Sequence, residues 1–304
     1  GFAKPQMFMN LFISNAGLIV IGCGMTLVMI TGGIDISVGS VTALVCMSAA
    51  YAMENKGMSA VAAVVISLLI GTLFGIVQGY LVTYLEIQPF IVTLAGMFFG
   101  RGLTAVISTD MIAIQNKTFL KWANYRINLP FGTYNRRGIF IPAYIYPTVI
   151  IALAVVILIT IMLKFTKFGR SLYAIGGNQQ SAVMMGLNVK RTKMKAYVLD
   201  GFLAGLGGFL FCLNSCAGFV EQAKGLEMDA IASAVIGGTL LSGGVGTVIG
   251  TLFGVLINGT ISSLITTQGT LSSWWVRITL SALLCFFIVL QAVIAAVKRK
   301  KKKK

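Results

Sequence analysis

The charges of this chain are gathered so unevenly that they leave long runs with none. Residues 5–34, 36–53, 57–85, 138–163, 201–220, 230–276 and 278–297 contain no Asp, Glu, Lys or Arg, and 87–109 is interrupted only by Arg101. About 17–25 apolar residues cross the roughly 30 Å of hydrocarbon in a bilayer. The runs therefore predict nine apolar elements, near 13–33, 36–53, 58–84, 89–108, 142–163, 197–217, 229–241, 246–266 and 273–297. The long run 230–276 breaks at Ser242-Gly243-Gly244-Val245-Gly246, and the elements at 36–53 and 229–241 are short enough to be half-helices. In lipid every backbone polar group needs an internal partner, and these runs lack the alternation of a barrel strand. An all-α polytopic membrane protein follows, with 1–304 as one transmembrane domain.

Composition agrees. Of 304 residues 57% are hydrophobic and 11% charged, against about 25% charged in a soluble domain, and the mean hydropathy is +0.90. The chain has no histidine, which excludes His-ligated zinc and Ser-His-Asp chemistry. Paired carboxylates, HExxH and a Ser/Lys dyad are also missing, so no catalytic residue, metal site or bound cofactor is expected. No GxxxxGK[ST] loop occurs, so the chain does not bind ATP in the Walker manner. Cys23, Cys46, Cys212, Cys216 and Cys285 all fall in apolar stretches without a CxxC pair and read as small buried hydrophobes.

The net charge of +16 comes from 24 basic and 8 acidic residues, with seven bases in Lys298–Lys304. They sit at the ends of apolar runs, the pattern of the positive-inside rule and not of a nucleic-acid surface. The segment 164–198 carries Lys164, Lys167, Arg170, Lys190, Arg191, Lys193 and Lys195 with no acid. Both it and the tail are expected in the cytoplasm, with four elements between them. Five elements precede the basic segment, which places residue 1 outside, makes 1–12 a short outer loop and implies a further span upstream. Loops 218–228 and 109–141 then face outward. The second opposes the rule, with Lys117, Lys121, Arg126, Arg136 and Arg137 against Asp110.

An internal repeat is visible. Gly71-Thr72-Leu73-Phe74-Gly75 recurs as Gly250-Thr251-Leu252-Phe253-Gly254. Each copy belongs to a series of glycines four apart, Gly71, Gly75, Gly79 and Gly246, Gly250, Gly254, a groove suited to a second backbone. Each follows a short element opened by an acid (Asp35, Asp229) and precedes a similar tetrapeptide, IVTL at 91–94 and RITL at 277–280. The halves, 13–108 and 197–297, run in opposite directions, as in transporters with inverted repeats and broken helices.

Asp35 and Asp229 have two readings each, as helix caps or as parts of a permeation path. Arg101, in mid-run, either faces a wet interior or marks the end of its element near residue 100, the second reading being preferred. Trp274 and Trp275 read as an interface belt, with a sugar platform as the alternative. In the basic segment, Asn178 and Gly186 bracket a helix of two turns that shows Val183, Met184 and Met185, held between Gly176-Gly177 and Gly186. Such a helix either docks in a partner's apolar groove or lies on the membrane surface.

TGGIDISVGSVTAL (31–44), QPFIVTLAGMFFGRG (88–102), FGRSLYAIGGNQQSAVMMG (168–186) and IASAVIGGTLLSGGVGTVIGTLFGVL (231–256) resemble the permease subunits of bacterial ABC monosaccharide importers of the ribose/xylose/galactofuranose class. GTLSSWWVRI (269–278) resembles a galactofuranose permease within it. The resemblance implies ten spans in the bacterial inner membrane with both termini cytoplasmic. It implies a second permease, identical or related, and an extracytoplasmic sugar-binding protein. It also implies a cytoplasmic ATPase, often two fused cassettes, which holds the ATP and Mg. Residues 168–186 match the segment that touches that ATPase. The lysine-rich tail departs from the average member and fits anionic lipid. A wide, weakly binding path is expected, lined by polar or aromatic residues of the spans such as Thr93, Phe98, Asn214 and Asn258. A secondary transporter with inverted repeats is the alternative.

Overall fold

A computed structural model describes residues 4–134, 140–268 and 274–302. In chain order these form α1 (Pro5–Ile30), α2 (Val38–Glu54), α3 (Ala60–Thr83), α4 (Pro89–Ile107), β1 (Ile112–Ala113), α5 (Lys117–Ala123), β2 (Ile127–Tyr134), β3 (Phe140–Ile145), α6 (Pro147–Phe165), α7 (Lys167–Gly177), α8 (Gln179–Met184), α9 (Val189–Ser215), β4 (Ala217–Gly218), α10 (Leu226–Ile236), α11 (Val248–Gln268) and α12 (Trp274–Lys302). Six helices, α1, α3, α4, α6, α9 and α11, are long and apolar enough to cross a membrane, and α2 and Trp275–Gln291 of α12 are shorter apolar helices. With α10, each of the nine predicted elements has its helix. The protein is an all-α polytopic membrane protein.

Several expectations are corrected. Residues 5–12 are not a loop: α1 begins at Pro5, whose fixed φ suits the first helical position. Arg101 does not end its element, since α4 runs on to Ile107. The seventh element stops at Ile236, because Gly238, Gly243 and Gly244 all take positive φ in the stretch that follows. The loop 109–141, expected outside, is not bare. It carries α5, capped by the Asn116 side chain, and the antiparallel hairpin β2–β3. Cys285 is exposed, while Cys23, Cys46 and Cys212 are buried.

Burial separates centre from rim. The apolar windows of α1 and α9 are 78% and 72% buried, those of α3, α4, α6 and α11 only 22–33%. The rim helices turn side chains such as Val65, Leu69, Leu73 and Leu158 outward, as lipid permits. The contacts come in matched pairs: α1 on α11 and α9 on α3, α1 on α10 and α9 on α2, α2 on α4 and α10 on α12. Each half thus lends its first helix to the third helix of the other half.

Loop contacts fall at two ends. At one end β1 pairs with β4, Glu54 accepts from the amides of Gln115 and Asn116, and Arg277 reaches the Lys224 carbonyl. At the other end Gly244 donates to the Ile30 carbonyl at 2.9 Å, and Lys190 pairs with Glu86 at 2.9 Å. Lys190 holds the exposed Glu86 carboxyl below the usual carboxylate range. The basic segment lies at this second end. The loops assigned outward lie at the first.

Candidate functional site

The basic segment folds as two short helices. Thr166 caps α7 by accepting from the Gly169 amide at 3.1 Å, and Asn178 caps α8 by accepting from the Ser181 amide at 2.8 Å. Gly186, at φ +78°, ends the turn. Ala182 is buried with Ile175 and Val189, which turns the opposite face out. Val183, Met184 and Met185 are 57%, 86% and 66% exposed.

The segment is rooted on both helix breaks. A Cβ on Gly176 would meet the Ile30 carbonyl and the Gly244 amide. Tyr173 donates its hydroxyl to the Gly246 carbonyl at 2.8 Å. Ile30 closes α1 just before the first break, and 237–247 is the second. The exposed helix is therefore one rigid step from the two places where the bundle's helices are interrupted. Gly177 has no neighbour within 4 Å of an added Cβ.

Inside the bundle, the Asp35 carboxylate accepts from the Ser37 amide at 2.7 Å and hydroxyl at 2.6 Å, just ahead of α2. This is a cap on the turn before the helix. Gln78 donates to the Ser37 hydroxyl at 2.8 Å. Asp200 of α9, one helical turn from Tyr197, is fully buried, and neither of its carboxyl oxygens has a hydrogen-bond partner among the described residues. Asp229 does not match Asp35. It lies within the first turns of α10, whose N-cap is Gly225, and the more deeply buried acid there is Glu227, packed on Gly39.

The two glycine series meet different partners. Gly71 and Gly75 pack on the α9 backbone at Gly201 and Gly205, and Gly79 on Met194 and Tyr197. Gly250 and Gly254 pack on Gly237 and Ser233 at the end of α10. Gly246 lies ahead of α11, against Thr239 and Ile30.

The four residues named for a path are not brought together. Thr93 is buried, donating to the Pro89 carbonyl at 3.0 Å. Phe98 is 66% exposed on the rim. Asn214 lines a small cavity of about 120 Å³ with Asn124, Tyr146 and Thr148. Asn258 lines a larger one, about 450 Å³, between α1, α10, α11 and α12, together with Asp229 and Arg277. Sequence reasoning missed Arg277 and the full burial of Asp200. For Arg277 the signal was present: it is a lone charge between the uncharged runs 230–276 and 278–297. Trp275 is exposed, and the Trp274 side chain lies outside the described residues. Among the described residues no group of three His, Cys, Asp or Glu could hold a metal.

A helical membrane bundle with two interrupted elements, and an exposed short helix rooted on both interruptions, has the build of a transport subunit. The chain belongs to the family described as branched-chain amino acid transport system / permease component, whose model matches residues 7–288. It is 42% identical to an inner membrane ABC transporter permease protein of Escherichia coli K12, YjfF, over 96% of this chain and 85% of the relative. It is 36% identical to the fructose import permease protein FruG of Bifidobacterium longum, over 95% and 83%. With the ribose import permease protein RbsC of Bacillus subtilis it shares 38% identity, over 86% and 77%. No solved structure matches.

Proposed function

We infer that the chain is the membrane-spanning permease of an ATP-driven importer that brings a monosaccharide into the cytoplasm by alternating access. The relatives named for fructose and ribose import support the substrate class. The observation that carries the mechanism is the exposed Val183-Met184-Met185 face on a segment rooted at both helix breaks. This reading places a second permease, identical or related, beside the chain. A cytoplasmic ATPase, as two subunits or one fused double cassette, sits under α8 and carries ATP and Mg. A sugar-binding protein delivers the sugar from outside. Flexible thioether side chains suit a groove that changes shape with nucleotide state. A partner drives a two-state change only as far as it binds the two states unequally, so α8 has to fit one ATPase state better.

Replacing Met184 and Met185 together with Asp tests this. A carboxylate buried in an apolar groove without a partner costs several kcal/mol, comparable to the roughly 5.5 kcal/mol that swings a two-state equilibrium from 1:99 to 99:1. The double variant is expected to insert and fold normally, to lose the ATPase in a pull-down, and to lose uptake. Normal ATPase retention with normal uptake overturns the role of α8 and leaves it a membrane-surface helix.

A second reading has one observation behind it. Asp35 and Asp200 are both buried, the Asp200 carboxyl without a hydrogen-bond partner among the described residues, and buried carboxyls serve proton coupling in secondary transporters. Uptake that survives ATP depletion but not a protonophore favours that reading. Uptake that fails on ATP depletion favours the importer.

A further inference from the structure

We propose that the hairpin β2–β3, with the bases Lys121 and Arg126 that lead into it, lies in the lipid headgroup layer and binds anionic phospholipid there. The inference concerns the membrane around the chain and is independent of the importer reading. Connectivity sets the depth. β3 ends at Ile145 and α6 begins at Pro147. α6 has 19 residues, which rise about 28 Å, close to the hydrocarbon thickness of a bilayer. Ile150, Ile151, Ile157 and Leu158 are exposed along it, as lipid permits. The end of β3 therefore lies at the edge of the hydrocarbon. Tyr144 and Tyr146 sit at that edge with their rings 5.7 Å apart, the placement of an interface belt. The start of α1 is at the same level, because the Tyr144 amide donates to the Gln6 side chain at 2.8 Å.

The free part of the hairpin is apolar on both faces. Thr133 pairs with Ile141 and Tyr134 with Phe140 across the ladder, and neighbours along a strand point to opposite sides. Tyr134 and Phe140 thus share one face, with their ring centroids 5.4 Å apart, and Ile141 lies on the other. These three side chains and Phe131 are 42–74% exposed. The sheet has only two strands, and such a hairpin is marginal in water by itself. A docked protein would cover one face. A lipid layer covers both, and the amphipathic tyrosine rings favour its headgroup depth.

The charge is complementary to phosphate. Between residues 109 and 134 the bases are Lys117, Lys121 and Arg126, and the one acid is Asp110. Among the described residues none of the three bases forms an ion pair. Phe119 fixes α5 by packing edge-on against Phe209, and Lys117 and Lys121, one turn apart, are left exposed. Arg126 is held over the Tyr144 ring, 4.5 Å from its centroid. Stacking leaves the edge of the guanidinium free, and its fork of donors matches a phosphate.

The test uses the whole chain, made cysteine-free, in nanodiscs. Tyr134→Cys and Ile141→Cys, one on each face of the hairpin, are labelled separately with bimane. The quenchers are phosphatidylglycerol and phosphatidylcholine, each with a nitroxide near the headgroup end of one acyl chain. Both labels are expected to be quenched, and phosphatidylglycerol is expected to be favoured about fivefold or more, the worth of one base near an anionic surface. Lys121→Gln with Arg126→Gln is expected to abolish that preference while the labels stay in lipid. The comparison of the two lipids in the chain with both bases does not depend on the charge variants folding. Labels that neither lipid quenches, or equal quenching by the two lipids, overturn the proposal. Quenching at only one of the two positions assigns the other face to a protein and overturns it as well.

Discussion

At Gly75 and Gly201 two helix backbones approach so closely that an added Cβ on Gly75 would lie 3.1 Å from the Gly201 Cα. Without a hydrophobic drive between helices in lipid, association relies on such close packing. Gly75→Leu therefore forces α3 off α9. Gly250→Leu does the same at the α10–α11 contact, where an added Cβ would lie 2.8 Å from the Thr247 hydroxyl and 3.0 Å from the Gly237 carbonyl carbon. Val77→Leu, at a rim position 56% exposed, meets only lipid. The two glycine variants are expected to lose about 1–3 kcal/mol or more, the usual cost of overpacking, and the valine variant very little. Heating in detergent followed by size-exclusion chromatography reads the difference. Equal survival of all three would show that these contacts can open without cost.

Among the elements, α4 shows how a charge can be kept inside an apolar helix. The Arg101 guanidinium donates to the Val220 carbonyl at 2.8 Å and to the Gln222 carbonyl. It thus ties α4 to the loop between β4 and α10. Two carbonyls without helical partners receive donors, and the cation gains the hydrogen bonds it needs away from water. Arg101→Ala is expected to speed amide exchange in the loop 219–225 and leave 237–247, at the other end, unchanged. Unaltered exchange in both would mean that the loop holds itself. The same logic explains α10. Its start is buried through Glu227 and Leu226, and its end is set by glycines with positive φ, so it remains half the length of a span.

For the whole molecule, the loop contacts among the described residues join segments that the charge pattern assigns to one side. Lys190 meets Glu86, and the Gly244 amide meets Ile30, at the end bearing α7 and α8. Opposite them lie α5, the hairpin β2–β3 and the β1–β4 pair. With the basic end in the cytoplasm, Thr118→Cys in a cysteine-free chain is expected to react with an impermeant thiol reagent on intact cells. Gln180→Cys should react only after permeabilisation. The reverse result would invert the orientation and put α8 out of reach of a cytoplasmic ATPase. In that orientation the outward loop carries Lys117, Lys121 and Arg126 in excess of acid. Arg126 lies over the Tyr144 ring, 4.5 Å from its centroid, which explains one of these bases and not the rest.

Hydrophobic run length and charge placement were enough to read nine membrane elements, a break in the run 230–276 and the helix from Asn178 to Gly186. These depend on local facts: an uncharged run long enough to cross lipid, a capping side chain, a glycine able to take positive φ. Matching pentapeptides at 71–75 and 250–254 also pointed to an internal repeat. They did not show that α3 packs on α9 while the glycines of α11 pack on α10, because a glycine groove declares that a neighbour comes close and not which one. Arg101 was misread for a similar reason. A charge in an apolar run is costly only without partners, and its partners lie 119 and 121 residues away. The cavity between Asp229, Asn258 and Arg277 exists only once four helices from both ends of the chain are assembled. Linear order specifies which groups are available, and only the packing of α1 against the second half decides which of them share a space.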